Sequence, residues 1–216
     1  MDYYRSIIKR YRERKPDGSY PGFLINSIDL KKELDLIIAN DLVGTTRFLL
    51  DEIRKLARAG ADFALIASNT PHIVFDDLQR QSPIPLISIV EATCKTAKAM
   101  KLKRVGLIGA RFTMQGNFYP KVFTGEGIEL VVPDPDDQAY IHDKYMNELV
   151  NGVFLPATRE GLLTIVDRLK KKSNIEGLIL GGTELPLILR DESHNGVPFL
   201  NTTKIHVEAA VDQILA

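Results

Sequence analysis

The sequence predicts an α/β fold with mostly parallel sheets. Apolar runs of strand length alternate with helical segments along nearly all of the 216 residues, a pattern typical of parallel sheets covered on both faces by helices. The runs "FALIAS" and "GLILGG" are continuously apolar, as strands buried on both faces are. A chain of this length buries a sizeable core, in one large domain or two small ones.

The first half of the chain opens with an amphipathic helix over residues 2–14. Its apolar stripe comprises Tyr4, Ile7, Ile8 and Tyr11. The turn-rich loop "KPDGSYPG" and the short strand "FLINSI" follow, and then a helical segment that runs to about Ala59, with Gly60 as its stop. The remaining predicted elements are the strand "FALIAS", the helix "IVFDDLQRQ", the strand "PLISI" and the helix "VEATCKTAKAMKL".

The second half repeats the alternation. The predicted strands are "RVGLIGA", "IELVVP" after an intervening helix, "GLILGG" and a last short "VPFLN". Two helical stretches lie near 135–150 and 157–172, and "TTKIHVEAAVDQILA" forms a closing helix. Because ligands of such folds bind beyond the carboxyl ends of strands, the loops of interest are "SNTPH", "GARFTM", "GGTELP" and "NSIDL".

Composition excludes several classes of function. The 28 basic and 28 acidic residues give a formal net charge of +0, so there is no basic field of the kind that nucleic-acid binders use. Apolar runs fall short of the roughly 18 residues of a membrane span, and the polar N-terminus is unlike a signal peptide. The single cysteine excludes an internal disulfide and a cysteine-cluster zinc site. We therefore predict a cytoplasmic protein with neither nucleic-acid nor membrane partners.

Two loops about half a chain apart are alike. "LIASNTP" and "LILGGTE" each join an apolar strand to small residues and a threonine. Two similar α/β units facing each other across a cleft would explain this likeness. The alternative is that any parallel strand ends in small polar residues, and the pattern alone leaves both open.

The ordered set of loops resembles the aspartate/glutamate racemase family. The matching stretches are "SNTPH", "GARFTM", "YIHDKYMNELVNGVF", "GGTELP" and "TTKIHVEAAV". The resemblance covers nearly the whole chain and implies two pseudo-symmetric three-layer α/β domains with a cleft between them. It places residues 1–95 plus 205–216 in the first domain and 96–204 in the second. It further implies a homodimer and racemisation of a small amino-acid substrate, with aspartate or glutamate expected, without any cofactor.

The resemblance also implies roles for individual residues. Asn69, Thr70 and Thr183 match positions that bind the carboxylate and ammonium groups of the substrate. Thr113 matches a carboxylate-binding loop, and Glu184 is placed to meet an ammonium group. The candidate catalytic residues are Ser68, Thr183, Glu184 and His72, and the candidate substrate-binding residues are Asn69, Thr70, Thr113, Gly182 and Asn26, which ends the predicted strand "FLINSI".

Both positions at which the family carries a catalytic cysteine are changed here. They are Ser68 and Gly182. In the family one thiolate removes the α-proton and a thiol on the opposite face returns one. A serine hydroxyl is a poor base unless a neighbour activates it, and glycine has no side chain. Cys94 lies in the middle of a predicted helix, and we predict that it is a buried small apolar residue.

The start of the sequence also departs from the family pattern. Family members begin with an apolar strand and a glycine-rich loop, whereas Met1 opens directly into "DYYRSIIKRY". We expect this first strand to be missing, either from the fold or through a start codon placed too late. Its absence would expose apolar surface and lower stability.

Other groups offer acid–base chemistry. His72 is the nearest titratable candidate, because histidine side chains can titrate near neutrality. The alternative is that it only caps the helix that follows it. Glu184 becomes a base if burial raises its pKa, whereas at a helix N-terminus it is a carboxylate stabilised by the helix dipole. No metal-ligand spacing is present, and "GLIGAR" is only a fragment of a dinucleotide-binding motif, so neither a metal nor NAD is expected.

Three functions remain open. The first is an amino-acid racemase. The second is a non-catalytic binder of amino or dicarboxylic acids that keeps the anion-binding loops. The third is a different isomerase or a decarboxylase on the same scaffold, using Ser68, His72 or Glu184.

Overall fold

The structure is a computed structural model that describes residues 2–216. These residues form two compact units. Unit 1 comprises residues 2–66, Pro71–Ser88 and His206–Ala216, and unit 2 comprises Ala67–Thr70 and Ile89–Ile205. Each unit combines helices with parallel strands, which confirms the predicted α/β fold with mostly parallel sheets. Met1, where the departure from the family pattern begins, lies outside the described residues.

The racemase-like domain boundaries drawn from the sequence stay a prediction, as does the cleft. The compact units assign residues 89–95 and 67–70 to unit 2. The closing helix is shared between the units, since its first four residues belong to unit 2 and the others to unit 1. None of the helices formed by residues 2–216 combines the length and the apolar composition that crossing a membrane requires.

Unit 1 is mainly helical. Its elements are α1 (Asp2–Arg14), α2 (Leu30–Ile38), α3 (Leu42–Arg58), β1 (Ala64–Leu65), α4 (Phe75–Gln81) and β2 (Leu86–Ile87). The two short strands pair in parallel, with Ala64 opposite Leu86. A 3₁₀ helix, Thr70–Val74, leads into α4. The core between α3, α4 and the strands contains Leu49, Leu50, Ile53, Val74, Phe75 and Leu78.

One predicted strand of unit 1 is wrong. Residues 23–28, "FLINSI", form neither helix nor strand. The helical segment after them is interrupted by a turn at 39–41, where Asn40 adopts a positive φ of 55°. Asp29 and Asp41 cap the two resulting helices, because their carboxylates accept the backbone N–H groups of Lys32 and Gly44. Gly60 has a φ of 91° just after α3, as predicted for a helix stop.

Unit 2 contains a five-stranded sheet. The strands are β3 (Arg104–Gly109), β4 (Glu129–Val131), β5 (Gly177–Gly181), β6 (Ser193–His194) and β7 (Val197–Asn201). The helices are α5 (Ile89–Ala99), α6 (Arg111–Gln115), α7 (Phe118–Gly125), α8 (Pro135–Asn147), α9 (Pro156–Ser173), α10 (Leu185–Ile188) and the start of α11 (Thr202–Leu215). The strand order is β4-β3-β5-β7-β6, and only the β6–β7 pair is antiparallel.

Two apolar clusters form the core of unit 2. One includes Leu178 and Leu180 of β5 with side chains of α8 and α9, and the other includes Leu107 of β3 and Ile179 of β5 with side chains of α5 and α7. Successive strand residues face opposite sides of the sheet. The central strands are therefore apolar throughout, as the sequence predicted. The single helix predicted between β3 and β4 is instead two helices, because the chain is extended at Gly116.

A buried polar network joins three elements of unit 1. The Nε2 of His206 lies 3.0 Å from the Ile87 carbonyl oxygen, and its Nδ1 lies 2.9 Å from the Tyr3 hydroxyl. Because a carbonyl only accepts, Nε2 carries the proton and Nδ1 accepts from Tyr3. Burial lowers the pKa of His206 to about 4, so the ring stays neutral in the folded protein.

We expect the His206→Leu variant to lose about 2 kcal/mol of stability at pH 7, because two buried groups lose their partner. Folding lowers the pKa of His206 from 6.5 to about 4. The contribution of His206 to stability is therefore fully present above pH 6.5 and falls towards pH 4, by up to about 1.4 kcal/mol per pH unit. The variant lacks this decline, which urea unfolding at pH 7, 6, 5 and 4 measures.

Burial raises the pKa of Glu33 to about 7. The contribution of this carboxyl to the free energy of unfolding changes with pH in the opposite direction. It is fully present below pH 4.5 and is lost as the pH rises through 7. The wild type and the His206→Leu variant share this contribution of Glu33. The difference between their stabilities at each pH therefore reports on His206 alone. Parallel pH profiles for the two proteins would contradict the assignment.

Candidate active site

The carboxyl ends of β3 and β5 lie side by side in unit 2. Gly109 pairs with Gly181, and the loops that follow begin at Ala110 and Gly182. A Cβ on Gly109 would come within 2.5 Å of the Gly181 carbonyl oxygen, so only glycine permits this approach. Ligands of parallel α/β sheets bind at such strand ends, and the predicted site residues of unit 2 occur here.

Thr70 and Thr113 form a hydroxyl pair. Their Oγ1 atoms are 3.1 Å apart, which joins the loop after β1 to the first turn of α6. Thr113 is fully buried against Gly181, whereas Thr70 is only partly buried. Thr70 is therefore the member that can meet a ligand, and Thr113 orients its hydroxyl.

Asn69 is held by a chain of buried hydrogen bonds. Its Oδ1 accepts from the Tyr119 hydroxyl at 2.6 Å, and its Nδ2 donates to Thr202 Oγ1 at 3.2 Å. Thr202 in turn donates to the Leu180 carbonyl oxygen at 2.8 Å. Asn69 is 3% exposed, so its side chain mainly fixes the loop and its backbone, and with it the place of Thr70.

The loop after β5 carries a carboxylate with two hydroxyl partners. Glu184 Oε2 accepts hydrogen bonds from the Tyr145 hydroxyl and from Thr183 Oγ1, the latter at 2.9 Å. Glu184 precedes α10 and accepts no capping hydrogen bond from that helix. Glu184 thus lies at the N-terminus of α10 but is bonded to side chains. Its two roles, a base or a carboxylate stabilised by the helix dipole, stay predictions.

The Tyr145 ring lies against Gly182. A Cβ on Gly182 would come within 2.4 Å of Tyr145 Cε2 and 2.7 Å of its hydroxyl oxygen. The phenol thus fills the space that any side chain at position 182 would enter. We call the group formed by Thr70, Thr113, Thr183, Glu184 and Tyr145 the polar edge.

Ser68, a predicted catalytic residue, and Cys94, which was not expected to be one, have different surroundings. Ser68 is partly buried, and its hydroxyl makes no hydrogen bond to any described residue. Cys94 is 2% exposed inside α5, and burial raises the pKa of its thiol. The prediction that Cys94 is a buried small apolar residue is confirmed.

Two predicted site residues belong to unit 1. His72 is 2% exposed in the 3₁₀ helix, where its ring stacks on Phe75 with centroids 4.8 Å apart. Asn26 lies in the irregular segment and donates to Glu52 Oε2 of α3 at 2.8 Å. These contacts account for both side chains in structural terms, and their roles in a site stay predictions.

Three residues around the polar edge were not predicted. Tyr119 and Thr202 hold Asn69, and Tyr145 holds Glu184. Thr202 directly follows β7, so the rule that picked out the other strand-end loops also applies to it. Tyr145 lies in "YIHDKYMNELVNGVF", a stretch noted for its resemblance without any single residue being chosen. Nothing in the local sequence marks Tyr119, which lies about 50 residues from its partner.

A further contact positions α6. The Nδ1 of His142 accepts the backbone N–H of Arg111 at 3.3 Å. Burial, and then the charge of Arg111, lower the pKa of His142, which keeps the ring a neutral acceptor. This bond fixes the first residue of the helix that carries Thr113.

The fold and the polar edge together define an α/β protein that presents hydroxyls and one carboxylate at the carboxyl ends of parallel strands. This chemistry suits a small polar ligand that carries both charges. Among residues 2–216, no group of three or more histidine, cysteine or acidic side chains is arranged to hold a metal ion.

Comparison with known proteins assigns the chain to a family. A model of the Asp/Glu/Hydantoin racemase family matches residues 1–210, and the chain belongs to this family. The broad specificity amino-acid racemase RacX of Bacillus subtilis is 26% identical over 204 residues, which cover 93% of this chain and 85% of the relative.

Solved structures agree with this assignment. An aspartate racemase homologue from Pyrococcus horikoshii is 30% identical, with a TM-score of 0.82, covering 99% of this chain and 92% of that one. An aspartate racemase from Picrophilus torridus is 18% identical and shares the fold, with a TM-score of 0.74 over 98% of this chain and 89% of that one.

Gly182→Ala tests the packing of the Tyr145 ring. We expect the variant to lose about 1–3 kcal/mol of stability, because the new methyl group overlaps a buried, hydrogen-bonded ring. The double variant Gly182→Ala with Tyr145→Leu should lose less than the sum of the two single variants, since the smaller side chain vacates the space. Urea unfolding measures all four proteins, and strict additivity would show that the ring and position 182 do not compete.

Proposed function

We propose that this chain is an amino-acid racemase that acts on aspartate or glutamate without a cofactor. The observation that carries the proposal is the Thr70–Thr113 hydroxyl pair, 3.1 Å apart at the strand ends of a chain in the racemase family. The names of its relatives, a broad specificity amino-acid racemase and an aspartate racemase homologue, support an amino acid as the substrate.

The polar edge supplies complementary groups for such a substrate. The Thr70 hydroxyl donates to a substrate carboxylate, and Thr113, buried behind it, holds it in place. The Glu184 carboxylate, with Thr183 and Tyr145 on one oxygen, attracts the ammonium group. Fixed hydroxyl dipoles near the carboxylate also stabilise the negative charge that develops when the α-proton leaves.

Exchange of the α-proton tests the proposal. In D2O with EDTA and no added cofactor, we expect the protein to exchange the α-proton of L-Asp or L-Glu, followed by NMR. Thr70→Val should raise KM about 10–100-fold, because a hydrogen bond to a charged group is worth about 1.5–3 kcal/mol. Thr164→Val is the matched control, since that hydroxyl bonds only to its own helix. No exchange with either substrate by the folded protein would refute the proposal.

A second candidate function is a non-catalytic binder of amino or dicarboxylic acids. It is favoured by Ser68, whose hydroxyl has no hydrogen-bond partner within residues 2–216, and by the crowding at Gly182, which leaves no room for a side chain. Calorimetry with aspartate, glutamate and succinate separates the two functions. Binding without α-proton exchange supports the binder, and the absence of binding to all three compounds removes it.

The proposal includes a homodimer. Between residues 20 and 43, unit 1 exposes large apolar side chains of the kind that mark association surfaces. They are Tyr20, Leu24, Ile25, Leu30, Ile38 and Val43. Light scattering after size exclusion should give twice the 24.2 kDa of the chain, and Ile25→Lys, at a side chain that is 66% exposed, should shift the mass towards the monomer. A monomeric wild-type protein would contradict the dimer.

A further inference from the structure

Tyr145 and Glu184 form a phenol–carboxylate pair at the end of β5. The Tyr145 hydroxyl donates to Glu184 Oε2, and the same oxygen accepts from Thr183. Burial, then the charge of Glu184 and this hydrogen bond, raise the pKa of Tyr145, while Thr183 and the Glu184 backbone N–H act in the opposite direction. The phenol therefore carries its proton at neutral pH and directs it at the carboxylate.

The pair lies at the polar edge itself. The three nearest heavy atoms to a Cβ at position 182 all belong to Tyr145, and the hydroxyl oxygen is one of them at 2.7 Å. Position 182 directly follows Gly181, against which Thr113 packs with its Cγ2. The phenol oxygen is thus the titratable atom in the space that a side chain at position 182 would enter, beside the backbone at which β5 ends.

We propose that Tyr145 and Glu184 form a proton relay that exchanges a proton with the α-carbon of the substrate. Tyr145 is the catalytic residue of the relay, and Glu184 acts through it. The inference rests on the proposed racemase function and deepens it, because it assigns the acid–base chemistry to side chains other than a thiol.

The step balances without any further reactant. As the α C–H bond breaks, its electron pair stays on the α-carbon, and the proton moves to the phenol oxygen. The phenol proton moves at the same time to Glu184 Oε2. The reverse step returns a proton to the α-carbon and leaves Glu184 ionised again. No free phenolate forms, which matters because burial beside a carboxylate disfavours that anion.

A single relay serves one face of the α-carbon. Racemisation requires a separate group on the opposite face. Removing the relay should therefore lower α-proton exchange that starts from one enantiomer and leave exchange from the other. A purely structural role for Tyr145 would instead lower exchange from both enantiomers together. This asymmetry separates proton transfer from support of the fold.

The test compares α-proton exchange of L- and D-aspartate and L- and D-glutamate in D2O. Tyr145→Phe keeps the ring beside Gly182 and removes only the hydroxyl. We expect exchange from one enantiomer to fall about 10²–10⁴-fold, the usual worth of general acid–base catalysis, with KM changed less than about 3-fold. Glu184→Gln, which keeps a hydrogen-bond acceptor but accepts no proton at neutral pH, should show the same asymmetric loss in kcat. Its KM should rise for both enantiomers, because the carboxylate also attracts the ammonium group.

Tyr140→Phe is the matched control. Tyr140 lies on the same helix, five residues earlier, and its hydroxyl lies over Gly161 of α9 instead of at the polar edge. This variant should exchange at the wild-type rate, and a loss equal to that of Tyr145→Phe would overturn the relay.

The other possible results of these measurements also decide between the relay and its alternatives. Normal exchange by Tyr145→Phe, or an equal loss for both enantiomers, overturns the relay alone and leaves the racemase function standing. A wild-type protein without exchange from any of the four substrates overturns both. If circular dichroism shows that Tyr145→Phe does not fold, the Glu184→Gln result decides by the same criterion.

Discussion

The close approach of two glycines sets the geometry of unit 2. Gly109 and Gly181 end adjacent strands in register, and a Cβ on Gly109 would meet the Gly181 carbonyl oxygen at 2.5 Å. A side chain on either residue would push the strand ends apart and displace Thr113, which packs against both. The Thr70–Thr113 contact depends on this spacing, because Thr113 packs against both glycines.

The polar edge is more strongly constrained than its surface-loop position suggests. Asn69, Thr202 and Tyr119 behind it are nearly or fully buried and bonded to one another or to the backbone. Thr113 is also fully buried and bonds to Thr70. Such satisfied networks stiffen the groups they hold, since breaking one bond leaves a buried polar atom unpaired. The residues that stay partly exposed, Thr70, Thr183 and Glu184, are therefore presented by a rigid support, as preorganised binding requires.

The sequence predicted the strands that have a local apolar pattern. It did not predict the side chains whose role depends on partners far away in the sequence. The alternation of apolar runs identified β3, β5 and β7, because buried parallel strands are apolar on both faces. It failed for "FLINSI", where an apolar run lies in an irregular segment. Strand-end loops pointed to Thr70, Thr113 and Glu184. Tyr145 and Tyr119 could not be chosen, because their importance comes from partners 39 and 50 residues away.

The crowding of Tyr145 against Gly182 has an evolutionary consequence. A cysteine at position 182 needs the volume that the phenol ring occupies, so neither position can change freely while the other stays as it is. A lineage that introduced a cysteine at position 182 by a single substitution would first pass through a less stable protein. We therefore expect the two positions to be coupled, so that a thiol at position 182 requires a smaller side chain at position 145.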